Sequence, residues 1–294
     1  MNHRKIALGV ALAAALSACS SSSFDARFRL MTAPDTRMPL TAGDIDAALR
    51  QFADGDDRPI VLFVHGRGDE PQKSIARNAL ASIEAHHDVR VLMFTWDSHC
   101  LVCRPVDRAA AAAPDLAQLL AAVADARRNG AAPDNKLILL THSMGSIVLE
   151  RAVTDGRFGE LPDRMFDSIV LAASDSDADG HADWLRRASR LAPATYVMVN
   201  PRDWILSLSG RNLRVGNRVP SGRNGDHAEW PVRYVVAASE NFTLHRLFNN
   251  GKLDGCARLK PIVDAAIKGD PVPLEDAGDV ERAADNVFVV SCAS

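Results

Sequence analysis

Aromatic residues are scarce, at 5% of the 294-residue chain with two tyrosines. That scarcity disfavours a carbohydrate site built on stacked rings, although four tryptophans leave room for one. Neither sign of charge dominates. Lysine and arginine number 34 against 37 acidic residues, the formal net charge is -3, and the two signs are interspersed with no block of lysines. This removes the electrostatic case for a nucleic-acid partner. There is no internal repeat, and the apolar run from Ile6 to Ala18 falls short of the roughly 20 residues a membrane-spanning helix needs. The length allows one large α/β domain with a substantial core.

Residues 1–18 have the layout of a secretory signal: His3, Arg4 and Lys5, then "IALGVALAAALSA", ending before Cys19. "LSAC" at Leu16 to Cys19 resembles the lipobox of bacterial lipoproteins. The resemblance implies cleavage before Cys19, acylation of that cysteine, and a membrane tether over residues 19–35, with the folded domain at 36–294. Several acyl chains anchor far more firmly than one. Ser20 after the cysteine, by the sorting rule for such lipoproteins, implies the periplasmic face of an outer membrane.

Cysteine is sparse, and with Cys19 set aside four remain: Cys100, Cys103, Cys256 and Cys292. An exported chain with an even number is expected to form disulfides, and four cysteines allow three pairings. The spacing suggests Cys100 with Cys103, closing a turn in "HCLVCRP", and Cys256 with Cys292, stapling the strand "VFVVSC" to the last helical region. "CLVC" also has zinc-ligand spacing, but no second paired spacing follows it.

From about residue 59 the chain alternates. Strand candidates are "PIVLFVHG", "VRVLMFTW", "KLILLTHS", "DSIVLAAS", "TYVMVN" and "VRYVVAAS", with a further strand near "RFRLM". Helical spacing is found in "TAGDIDAALRQF", "EPQKSIARNALASIEAHH", "PDLAQLLAAVADARRNG", "MGSIVLERAVTD" and "HADWLRRASRLA", with Pro114 and Gly130 punctuating the third. Apolar strands alternating with helices predict an α/β fold with a mostly parallel sheet covered on both faces. Ligands of such sheets bind at the carboxyl ends of the strands. An insertion at about 205–230, rich in glycine and arginine, is expected to shape a substrate mouth or lid.

The residues after each strand carry the chemistry. After "KLILLT" come His142, Ser143, Met144 and Gly145, a serine at a strand-to-helix turn with Thr141 where the pattern G-x-S-x-G has its first glycine. Taken alone, Ser143 reads as a nucleophile or as a serine capping a helix. After "PIVLFV" come His65, Gly66, Arg67 and Gly68, a loop whose backbone N–H groups could approach a substrate oxygen. These two segments, with the strand order, resemble the α/β-hydrolase superfamily, its esterase-like and lipase-like members and a branch of unknown function, over roughly residues 59–269.

The resemblance implies an acid and a histidine later in the chain. Asp203, after "TYVMVN", is the expected acid, with Asp175 after "DSIVLAAS" as its rival. His245, beyond the last parallel strand, is the expected base, and His227 is assigned to the surface or lid. The oxyanion hole is expected from the N–H groups of Met144 and Arg67. His65 is expected to brace its loop and His142 to pack or hydrogen-bond locally. The implied reaction is hydrolysis of a small-molecule carboxylic ester with no cofactor and no metal. The alternative is a non-catalytic envelope lipoprotein that keeps the scaffold for binding.

"DSDADGHADWLR", Asp175 to Arg186, has the aspartate spacing of a calcium loop, but Arg186 stands where the bidentate glutamate is required. The stretch is read as an acidic, solvated loop capping a helix.

Overall fold

The computed structural model describes residues 30–32, 36–38, 41–68, 75–98, 105–154, 161–178, 180–209, 214, 232–238, 245, 256–275 and 280–292. The leader, Cys19, residues 20–29 of the predicted tether, Cys100, Cys103, His227 and most of 205–230 lie outside the described residues. Leu30–Thr32, placed in the tether over 19–35 by the sequence, are instead a buried strand paired into the sheet, so the fold begins before residue 36.

The elements, in chain order, are β1 (Leu30–Thr32), β2 (Thr36–Met38), α1 (Ala42–Ala53), β3 (Ile60–Val64), α2 (Ile75–His87), β4 (Arg90–Phe94), α3 (Pro105–Arg128), β5 (Leu137–His142), α4 (Gly145–Thr154), β6 (Ser168–Ala172), α5 (His181–Ser189), β7 (Thr195–Val199), α6 (Trp204–Leu208), β8 (Val232–Ala238), α7 (Leu259–Lys268), β9 (Val280–Ala284) and β10 (Val287–Ser291). They form one ten-stranded sheet, ordered β2-β1-β4-β3-β5-β6-β7-β8-β10-β9. Strands β4 through β10 in that order are mutually parallel. The edges are antiparallel: β1 against β4 and β2 at one side, β9 against β10 at the other.

The two-residue side-chain period of each buried strand feeds two cores. In β3, Ile60, Leu62 and Val64 pack with α1, α3, α4 and α5, while Val61 and Phe63 pack with α2 and α7. This explains the long apolar runs: both faces are covered, and Thr141, Ser168 and Thr195, polar residues within them, are buried. The predicted α/β-hydrolase layering is therefore the observed one.

Two local readings are corrected. The helix read as starting at Pro114 begins at Pro105, with Pro114 inside it. The alanine-rich segment between them has the strongest helix propensity of any residue type, and a proline at the first helical position gives up no hydrogen bond. Gly130 does end that stretch, at φ 78°. The second is the 175–186 loop, whose first residue, Asp175, is buried.

Candidate active site

Ser143 follows β5 directly and has φ 50°, in the left-handed region that a residue with a Cβ occupies at a cost of about 1–2 kcal/mol. Backbone bonds on both sides hold it there. Its N–H donates to Ala172 O at 3.0 Å, and its carbonyl accepts from Asp175 N at 3.2 Å and Ser146 N at 3.0 Å. Helix α4 begins at Gly145, so Ser143 lies two residues before it and lacks the extended backbone of a capping residue. The capping reading is thereby removed.

The glycines around the turn are required by close approach. A Cβ on Gly145 would stand 2.3 Å from Val64 O, and one on Gly66 would stand 2.7 Å from Ser143 Cβ. Thr141 departs from the glycine pattern without crowding the turn. It is fully buried, and its Oγ1 lies 3.0 Å from Ser146 Oγ in the first turn of α4.

Asp203 caps α6. Its Oδ1 accepts from the N–H groups of Ile205 and Leu206 at 3.0 and 3.1 Å, which leaves Oδ2 to accept from His245 Nδ1 at 3.1 Å. The carboxylate is wholly buried. Its orientation follows from the sequence: an aspartate one residue before a helix turns one oxygen onto the free N–H groups of the first turn. His142, the neighbour of Ser143, lies against the same ring at 5.2 Å between centroids and donates from Nε2 to His245 O at 2.8 Å. Burial, followed by the nearby His245 ring, lowers the His142 pKa to about 3, so it stays neutral. This contact corrects the expectation of a local role, since the bond spans 103 positions. Nothing in the sequence near residue 142 signals it.

His65 is fixed in one tautomer. Its Nε2 accepts from Trp96 N at 3.3 Å, so Nδ1 carries the hydrogen and donates to Gly66 O at 2.8 Å. Trp96 stacks on the ring at 5.7 Å and donates from its indole to His65 O. Burial lowers the His65 pKa to about 4. With the Gly66 carbonyl turned to the imidazole, the N–H across the same trans peptide, that of Arg67, points the other way. The brace expected of His65 thus has a defined consequence for Arg67. Met144 precedes α4, whose first N–H groups have no intrahelical acceptor.

Asp175 is not solvated, contrary to the sequence reading. It is buried and accepts from Ser209 Oγ, and Arg214 Nε lies 3.4 Å from its Oδ1. Asp177 pairs with the same guanidinium, which also donates to Ser209 O at 3.1 Å. Burial raises the Asp175 pKa, against the hydrogen bond from Ser209 and the charge of Arg214. The partner comes from the insertion, 37 positions after Asp177, so the spacing of the aspartates could not reveal it. Of the two rival acids, Asp203 makes the hydrogen bond to His245.

Cys256 and Cys292 are disulfide-bonded, with Cα atoms 4.8 Å apart, as the spacing suggested. Cys292 N also donates to Ala238 O, so one residue ties the end of β8 to the start of α7. The chain between those points carries His245.

A family model described as "Alpha/beta hydrolase of unknown function (DUF900)" matches residues 43–233. The chain belongs to this family. The match takes in the loop at His65, the Ser143 turn and Asp203 of this alpha/beta hydrolase, and ends before His245. No curated protein matches it. Among solved structures, the hydrolase is similar to a Trichoderma reesei cutinase held with a phosphonate inhibitor, at 16% identity over 60% of this chain and 84% of that one, TM-score 0.33. It is also similar to a thermostable carboxylesterase cloned from a metagenomic library, at 12% identity over 79% and 98%, TM-score 0.37. A Pyrococcus furiosus esterase follows, at 11% identity over 82% and 76%, TM-score 0.33.

Proposed function

We propose that the protein is a serine hydrolase that cleaves carboxylic esters through an acyl-enzyme on Ser143, exported and held to a membrane by an acylated Cys19. The observation that carries the catalytic reading is the hydrogen bond from His245 Nδ1 to Asp203 Oδ2, together with a serine held at φ 50° whose neighbour, His142, donates to His245 O. With Nδ1–H committed to Asp203, Nε2 is the nitrogen free to act as base. Ser143 Oγ attacks the carbonyl carbon while Nε2 takes its proton, and the N–H groups of Arg67 and Met144 stabilise the oxyanion. The imidazolium then protonates the departing alkoxide, and a water repeats the sequence to release the acid. The Cys256–Cys292 disulfide supports an oxidising compartment.

A fluorophosphonate probe tests the reading. The full chain should be labelled stoichiometrically and hydrolyse chromogenic esters, and Ser143→Ala should abolish both. A folded protein that the probe never labels is a non-catalytic scaffold.

A further inference from the structure

We infer that the carboxyl edge of the sheet docks on the bilayer through Trp204 and Leu208, and that the esters cleaved at Ser143 are bilayer-borne acyl esters. This rests on the hydrolase and lipid-anchor readings above. Trp204 is 57% and Leu208 75% exposed, and they are the exposed large hydrophobic residues found among the described residues. They stand four positions apart on α6, hence on one helical face, immediately after Asp203. Arg202 and Arg67, also exposed, lie at the same edge. An aromatic ring with a neighbouring aliphatic and flanking arginines suits the boundary between phospholipid headgroups and acyl chains.

The topology says what covers this face. β1 runs antiparallel to β4 and pairs Leu30 with Phe94, the last residue of β4. Phe94 is level with Val64, Thr141, Leu171 and Val197 across the parallel strands. The chain coming from Cys19 therefore enters the fold at the edge that carries Ser143 and Asp203. Five strand spacings separate Leu30 from Val197, about 24 Å. The eleven peptide units from Cys19 to Leu30 reach at most about 40 Å. An anchor at Cys19 thus holds Trp204 and Leu208 within reach of the surface in which it sits. An acyl anchor and a side-chain contact on one face reinforce each other because the second binding event is intramolecular.

The test uses the full chain, produced with alkyne-palmitate to report acylation and reconstituted into phosphatidylethanolamine–phosphatidylglycerol vesicles, some carrying brominated acyl chains. Trp96 and Trp184 are buried and Trp230 lies outside the described residues, so in a Trp230→Phe background bromine quenching that disappears in Trp204→Ser reports this face. Trp204→Ser and Leu208→Ser should each lower turnover of a long-chain ester embedded in the vesicles by about tenfold. Turnover of a water-soluble short-chain ester should stay within about twofold in both. Quenching unchanged in Trp204→Ser, equal losses on both esters, cross-linked dimers burying Trp204 in place of lipid, or no acyl label on Cys19 would each overturn the inference. Trp204-dependent quenching with no turnover of either ester sinks the hydrolase reading and leaves the docking surface standing.

Discussion

Replacing Asp203 with asparagine exchanges one oxygen for an amide nitrogen, and the local hydrogen bonds decide which one. Oδ1 accepts from Ile205 N and Leu206 N, so that position requires an acceptor and the asparagine must keep its carbonyl there. The new NH2 then occupies the Oδ2 site, 3.1 Å from His245 Nδ1. A donor facing Nδ1 forces that nitrogen to accept, which moves the imidazole hydrogen to Nε2. The ring that should take the Ser143 proton then holds one already. Loss of the wrong-tautomer kind is about 10⁴-fold in kcat, or about 5 kcal/mol of transition-state stabilisation. Folding stability should change by less than about 1 kcal/mol, because the cap on α6 survives. Ester turnover and urea denaturation of Asp203→Asn and Asp175→Asn, side by side, measure this. Asp175→Asn should retain most of its turnover, since its carboxylate serves Ser209 and Arg214. An Asp203→Asn enzyme with more than a tenth of wild-type kcat, or an equal collapse in Asp175→Asn, would refute the reasoning.

Gly145→Ala places a Cβ 2.3 Å from a backbone oxygen that no side-chain rotation can relieve, so it should cost about 3 kcal/mol in urea denaturation and displace the Ser143 turn. A variant with wild-type stability and turnover would mean that the turn is looser than described. Removing the disulfide by Cys256→Ser with Cys292→Ser opens a closure of 36 residues, which should lower stability by about 3–4 kcal/mol and Tm by roughly 7–14 °C. His65 has its pKa lowered by burial to about 4 from 6.5, so the unfolded chain binds more protons between those values. Its contribution, about 3 kcal/mol, is complete above pH 6.5 and lost as pH falls towards 4. In His65→Gln the corresponding part of the urea midpoint's pH dependence should be absent, and an unchanged slope would exclude His65 as its source.

The parallel strands were legible because each is buried along most of its length and predominantly apolar. Ser143 stands directly after a strand, where such a sheet presents its ligands, whereas the choice of Asp203 and His245 came from the resemblance to the superfamily. The antiparallel edges were harder. Residues 280–284, "VERAA", carry no strand pattern because exposure on that edge relaxes the alternation. Contacts that depend on distant partners left no local trace. Asp175 reads as solvated until Arg214 is beside it, and His142 reads as packing until it meets the carbonyl of His245.

The hydroxyl pair between Thr141 and Ser146 bears on the lineage of the protein. Both residues are fully buried, so changing Thr141 to the glycine of the common pattern would strand the Ser146 hydroxyl away from water, at about 1–3 kcal/mol. Reaching that pattern one substitution at a time passes through a handicapped intermediate in either order. Relatives with glycine at the first position should therefore carry an apolar or alanine-sized residue at the second.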